Sequence, residues 1–181
     1  KFRSERDSIQ GQLWDAEGSR ARLLAEQTGA DHVTYPGDLR AAMERYPSVG
    51  AILTGQQKIF EARRRVMQAE IQIANEKIAQ VRQEIAGLGA QKAALAGRTA
   101  ISSEEMDQVT TLNAKGLEKK SRLLNLQREK ADLDGQEGQV EAQISRAYQV
   151  ISESQADIAK LESDRLSEVA QGMRDTESRI M

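Results

Sequence analysis

The sequence predicts an all-α fold: a long antiparallel two-helix coiled-coil hairpin with a shorter third helix packed near its base. Three observations carry this expectation. From about residue 51 to the end of the 181-residue chain there is no proline, and the apolar residues keep a seven-residue beat. Only 3% of the chain is aromatic while 30% is charged, a composition that cannot fill a thick globular core and suits long helices and coiled coils. The two heptad arrays are also mirror images about one residue, Gly116.

Residues 1–26 place Phe2, Ile9, Leu13, Ala16 and Leu23 at helical spacings, which predicts a short amphipathic N-terminal helix. Gly11 and Gly18 weaken it by about 1 kcal/mol each relative to alanine, so it needs a packing partner. Its direction is not set by the sequence. Residues 27–50 hold both prolines, Pro36 and Pro47, and read as a connector containing one short helix. Thr34-Tyr35-Pro36-Gly37-Asp38 has turn chemistry, with Asp38 placed to cap a helix running through Glu44. A second helix start follows Pro47-Ser48.

Residues 51–114 form the first hairpin arm. Ile71, Ile78 and Ile85 take one seam position; Phe60, Met67, Ala74, Val81, Leu88 and Leu95 take the other, and the same count reaches Met106 and Val109. Spacings alternating between three and four are the coiled-coil pattern. Residues 115–119 are the tip, because Asn113-Ala114-Lys115-Gly116-Leu117 is the best helix stop in this half. Residues 120–181 form the second arm, with Leu123, Ile144, Ile151 and Ile158 on one seam position and Leu126, Leu133, Val140, Ala147 and Leu161 on the other. Near Leu166, Val169, Met173 and Ile180 the phase slips by one residue.

A hairpin requires facing residues to be equidistant from its turn. Met106 and Leu126, Leu88 and Ile144, Ile85 and Ala147, and Ile71 and Leu161 are all centred on residue 116, and residue 116 is glycine. Each arm of about 60 residues would reach about 90 Å at 1.5 Å per residue. The same register sets Lys92 against Val140, Leu95 against Glu137, Thr99 against Leu133 and Ser102 against Lys130. A bend or local splay is therefore expected near 97–103. Burying Lys92 or Glu137 unpaired would cost several kcal/mol, so each is expected to snorkel or pair, Lys92 with Glu141 being one option.

The chain lacks the constellations of an enzyme. Without cysteine there are no disulfides, thiolate metal sites or thiol nucleophiles. No GxxxxGK[ST], GxGxxG or GxSxG stretch is present. His32, the one histidine, reads as an exposed loop residue, and Asp132-Leu133-Asp134-Gly135-Gln136-Glu137 misplaces the glycine and terminal glutamate of a calcium loop. Arg63-Arg64-Arg65 reads as a solvated face, and a net charge of −2 gives no reason to expect nucleic acid. No apolar run approaches the roughly 20 residues of a membrane span. The expectation is a non-enzymatic chain with no catalytic residue, cofactor or metal.

The tip is the more informative place. Lys115, Lys119, Lys120 and Arg122 surround Gly116 and Leu117, with only Glu118 opposing them. A positive end bearing one exposed leucine suits an acidic rim or groove on a partner; charge alone equally suits a solubilised turn. The candidate partner-binding set is Leu112, Lys115, Gly116, Leu117, Lys119, Lys120, Ser121 and Arg122.

Leu24-Ala25-Glu26, the Tyr35-Pro36-Gly37-Asp38-Leu39 turn, Gly55-Gln56-Gln57 with Phe60-Glu61-Ala62-Arg63, and Lys115-Gly116-Leu117 followed by Ser121-Arg122-Leu123-Leu124 carry a resemblance over nearly the whole chain. It resembles the helical region of HlyD-like periplasmic adaptors (membrane fusion proteins) of Gram-negative type I secretion, in the branch exporting proteases and lipases. The resemblance implies an adaptor that links an inner-membrane ABC transporter to a TolC-like outer-membrane channel through its hairpin tip. It also implies self-association in a ring, a hexamer by analogy, with exported protein as cargo.

The implied location is the periplasm. Because the chain begins at Lys1, it reads as an excised helical domain, the whole protein carrying an inner-membrane anchor, a split lipoyl-like domain and a β-rich domain. One departure stands out. Many adaptors place an Arg, a Leu four residues later and a Ser or Thr seven further on; here Gln108 holds the Arg slot, Leu112 fits, and Lys119 holds the hydroxyl slot, with Ser121 two residues beyond. The other reading is an intracellular coiled-coil arm of a chromosome-maintenance or repair ATPase.

Overall fold

The computed structural model describes residues 2–180, with the side chains of residues 2–5 and 7 excepted. The expectation for the Phe2 side chain therefore lies outside the described residues. Four helices follow in order: α1 (Phe2–Thr28), α2 (Gly37–Arg45), α3 (Pro47–Ala114) and α4 (Lys120–Ile180). Among the described residues there is no strand. The chain is an all-helical hairpin of α3 and α4 with the shorter α1 packed against it. It divides into two compact units, Lys1–Ile73 with Asp157–Met181, and Ala74–Ala156.

In the first unit, α1 runs parallel to α3 and antiparallel to α4, which settles the direction that sequence left open. Trp14 meets Tyr46 with ring centroids 5.1 Å apart, Arg22 Nε donates to Gln56 Oε1 at 2.8 Å, and Arg63 lies 3.6 Å from Glu26. Against α4 the order reverses: Arg179 approaches Asp15 at 3.3 Å, Leu23 packs on Gly172, and Arg165 donates to the Glu26 carbonyl at 3.0 Å. Ala16, Ala21, Leu23 and Ala25 are buried, and mostly small side chains let α1 lie close to its neighbours. Ile9 stays exposed, so the amphipathic series begins after it.

Because α1 and α3 run the same way, the chain between them must return. Residues 29–46 do this, with α2 folded over the core of Leu39, Val49 and Leu53. Tyr35 Oη donates to the Leu53 carbonyl at 2.9 Å and pins the turn. The expected Asp38 cap is not formed: Pro36 is the N-cap residue without a side-chain bond, and Asp38 sits one step inside, accepting from the Leu39 amide at 2.9 Å. Pro47 opens α3, the position where a fixed φ and a missing N–H cost nothing. Phe60 is 1% exposed among Ala21, Ala25 and Val33; burial of such a ring contributes about 3 kcal/mol.

The seam of the second unit follows the mirror register. Leu95, Leu133 and Val140 are buried together, with Leu88 and Ile144 packed against them. Lys92 Nζ reaches Glu141 Oε2 at 3.2 Å. α3 continues as one helix through 97–103, and the seam there is chemically irregular. Thr99 Oγ1 and Ser102 Oγ are buried with no hydrogen-bond partner. Hydroxyls shorter than the usual Leu or Ile fill the seam thinly there, yet α3 stays helical because its own backbone bonds do not depend on the seam.

The phase slip in α4 lies in the first unit, but its occupants differ from the expected set. Val169 is buried and Met173 half-buried, whereas Leu166 is exposed and Arg165 takes the seam place. Arg165 is held there by Met67 Sδ at 3.0 Å and by the Glu26 carbonyl. Its long aliphatic stem covers apolar surface while its guanidinium finds acceptors.

Candidate functional site at the hairpin tip

The tip is built by a helix stop. Gly116 has φ of 73°, a left-handed conformation that only glycine adopts without strain. The Gly116 amide donates to the Asn113 carbonyl at 2.9 Å and the Leu117 amide to the Leu112 carbonyl at 3.0 Å, the paired bonds of a Schellman motif. Beyond it, Asn113 Nδ2 donates to the Glu118 carbonyl at 2.8 Å. Glu118 Oε1 accepts from the Lys119 amide at 2.9 Å, where α4 begins. The turn is thus held across its whole width by its own polar groups.

What it presents outward is apolar and cationic. Leu117 is 72% exposed and Leu112 is 40% exposed. The contrast with the end of α1 is informative, because Gly29 also has a positive φ and Ala30 donates to the Ala25 carbonyl. There, Ala30 folds onto the core containing Ala25, the usual apolar closure of this cap. At the tip the corresponding residue, Leu117, is left in solvent. Lys115, Lys119, Lys120 and Ser121 are exposed around it.

The candidate set is not uniform. Arg122 forms an ion pair with Glu105 of α3, so it braces the two arms as well as adding charge. Gly116 acts through backbone geometry. Asn113, Glu118 and Glu105 complete the tip and lay outside the candidate set; an Asn in the last turn before a glycine was the one available signal for the first of them.

Other constellations resolve as structure. His32 is exposed in the connector. The residues 132–137 are a continuous part of α4, and no metal-ligating cluster exists among the described residues. The arginine triplet is more engaged than a bare solvated face. Arg63 pairs with Glu26 and Glu168, Arg64 holds Asp31 through both its carbonyl at 2.7 Å and its carboxylate at 2.6 Å, and Arg65 donates to the Glu61 carbonyl. No described helix is long and apolar enough to cross a membrane.

Comparison with known families places this geometry. The family model "AprE, long alpha-helical hairpin" matches residues 2–181. The chain belongs to this family. It is 30% identical over 174 residues to the type I secretion system membrane fusion protein PrsE of Rhizobium meliloti (strain 1021), covering 95% of this chain and 39% of PrsE. The chain therefore spans well under half the length of that relative. Among solved structures it is similar to the soluble domain of LipC, a membrane fusion protein of a type I secretion system. That match has a TM-score of 0.93 and 25% identity, and it covers 98% of this chain and 83% of the LipC chain.

Within the AprE hairpin family frame, Leu112, Gln108 and Ser121 all stand exposed at or near the tip. The slot expected to hold a hydroxyl carries Lys119, whose amide is tied to Glu118.

Proposed function

We propose that this chain is the helical hairpin of a non-enzymatic periplasmic adaptor in a type I protein secretion system. In this reading the adaptor couples an inner-membrane ABC transporter to a TolC-like outer-membrane channel, and several copies surround the conduit. The observation that carries it is the tip: a turn locked by backbone and side-chain bonds that nonetheless leaves Leu117 in solvent within a ring of lysines. A solubilised turn needs the lysines but not the exposed leucine, whereas a docking end uses both, the leucine for burial and the lysines for orientation on an acidic rim. Kinship with PrsE and LipC, both membrane fusion proteins of type I secretion by name, supports the same reading over an intracellular ATPase arm.

The test is export by the complete adaptor. Reversing Lys119 and Lys120 to Glu, and separately Leu117→Asp, should reduce secretion and capture of the outer-membrane channel while helicity stays unchanged. Normal export by both variants would remove the tip from the docking role.

A further inference from the structure

Where α1, α3 and α4 meet in the first unit, one polar contact is chemically unbalanced. Arg165 of α4 donates through Nη2 to the Glu26 carbonyl and through Nη1 to Met67 Sδ of α3, both at 3.0 Å. The carbonyl is a matched partner. It belongs to the last turn of α1, where oxygens lack an intrahelical donor and the helix end favours a cation. The thioether is a poor match, because its sulfur is a weak acceptor set against a charged donor. Among the described residues no carboxylate forms an ion pair with Arg165: Glu26 is engaged by Arg22 and Arg63, and Glu168 by Arg63.

Met67 is also reachable from solvent. It is half-buried and, with Arg165, lines an open groove of about 510 Å³ that Ala62, Val66 and Leu161 also line. A molecule the size of hydrogen peroxide needs far less room. Met67 is the one methionine among the described residues whose sulfur takes a hydrogen bond.

We propose that Met67 is a site of oxidation by peroxide and that Arg165 binds the sulfoxide formed there. A sulfur lone pair attacks one peroxide oxygen and the O–O bond breaks as the S–O bond forms. The proton on the transferred oxygen passes to the departing hydroxide, leaving sulfoxide and water; sulfur is oxidised and the peroxide reduced. Methionine oxidation ordinarily loosens a packed junction by putting a polar group among apolar ones. Here the new oxygen, a far stronger acceptor than the thioether, meets a guanidinium already aimed by its bond to Glu26, so little further ordering is needed. Oxidation therefore tightens α3 against α4 and α1. The inference is independent of the secretion role, since it concerns these three helices alone.

The chain has five methionines and no cysteine, so M43L, M106L, M173L and M181L together leave Met67 as the sole sulfur. Dilute hydrogen peroxide should add one oxygen to this folded chain, and peptide mass spectrometry should place it on Met67. The thermal midpoint should hold or rise on oxidation. With R165M in the same background the midpoint should fall, the two shifts differing by about 3 °C or more. Each shift is measured against the same variant before oxidation, so the folding cost of the substitution itself cancels. R165Q gives the same comparison where R165M does not fold. A Met67 left unoxidised under conditions that convert Met43 of the unsubstituted chain, which is 47% exposed, overturns the site. An equal fall in midpoint with and without Arg165 overturns sulfoxide binding.

Discussion

The amide of Leu117 donates to the carbonyl of Leu112 at 3.0 Å, and this bond across Gly116 closes the turn between α3 and α4. It forms only because Gly116 holds φ at 73°. A side chain in that conformation is strained even though nothing lies within 4 Å of where its Cβ would sit. Gly116→Ala should therefore cost about 1 kcal/mol, seen as a lower midpoint in chemical denaturation. Gly116→Asn, whose side chain tolerates the left-handed region, should lose less.

Ser154 occupies a seam position of α4, 2% exposed, with its hydroxyl lacking a partner. An unmet buried hydroxyl costs more than its methyl equivalent, so Ser154→Ala should raise stability by about 1 kcal/mol. Thermal unfolding would register this as a higher midpoint; a drop would mean the hydroxyl is satisfied in solution.

Ser154 also shows what a sequence reading catches and what it passes over. The apolar beat located the hairpin register closely enough to offer Glu141 as one option for Lys92, and the two stand 3.2 Å apart; turn chemistry located Gly116. Those signals are local or periodic. Ser154 is missing from an apolar series because it is polar, although the heptad count passes through it. Arg165 displaces Leu166 from the seam for a related reason: its acceptors, Met67 Sδ and the Glu26 carbonyl, come from two other helices. The direction of α1 depends on such contacts throughout. At the tip the lysines were countable, but the pairing of Arg122 with Glu105 was not, since formal charge carries no information about partners.

Gly172 is a point of close approach in the first unit. A Cβ built there would stand 3.2 Å from both Leu23 methyl carbons, so α1 lies as near α4 as a bare backbone permits. Gly172→Val should push α1 outward at a cost of about 1–3 kcal/mol. Hydrogen exchange would reveal this as faster exchange along α1, with 74–156 unaffected. Gly172→Ala should show a smaller effect, because Leu23 must yield only a few tenths of an ångström.

Glu17 supplies a pH-dependent term. Burial raises its pKa above the ordinary value of 4.5, repulsion from Asp38 raises it further, and Arg20 partly offsets both. A folded-state pKa above the unfolded one means that the folded chain holds the proton more tightly. The stabilisation linked to this group is then fully present below about pH 4.5 and is lost as pH rises through the folded value. At neutral pH the ionised carboxylate is a net burden on the packing of α1 against the connector. Glu17→Gln should raise the unfolding midpoint at pH 7, and the gain should vanish below about pH 4.5. Unfolding curves across pH 4 to 8 would check this, and a gain independent of pH would assign the effect to packing in place of charge.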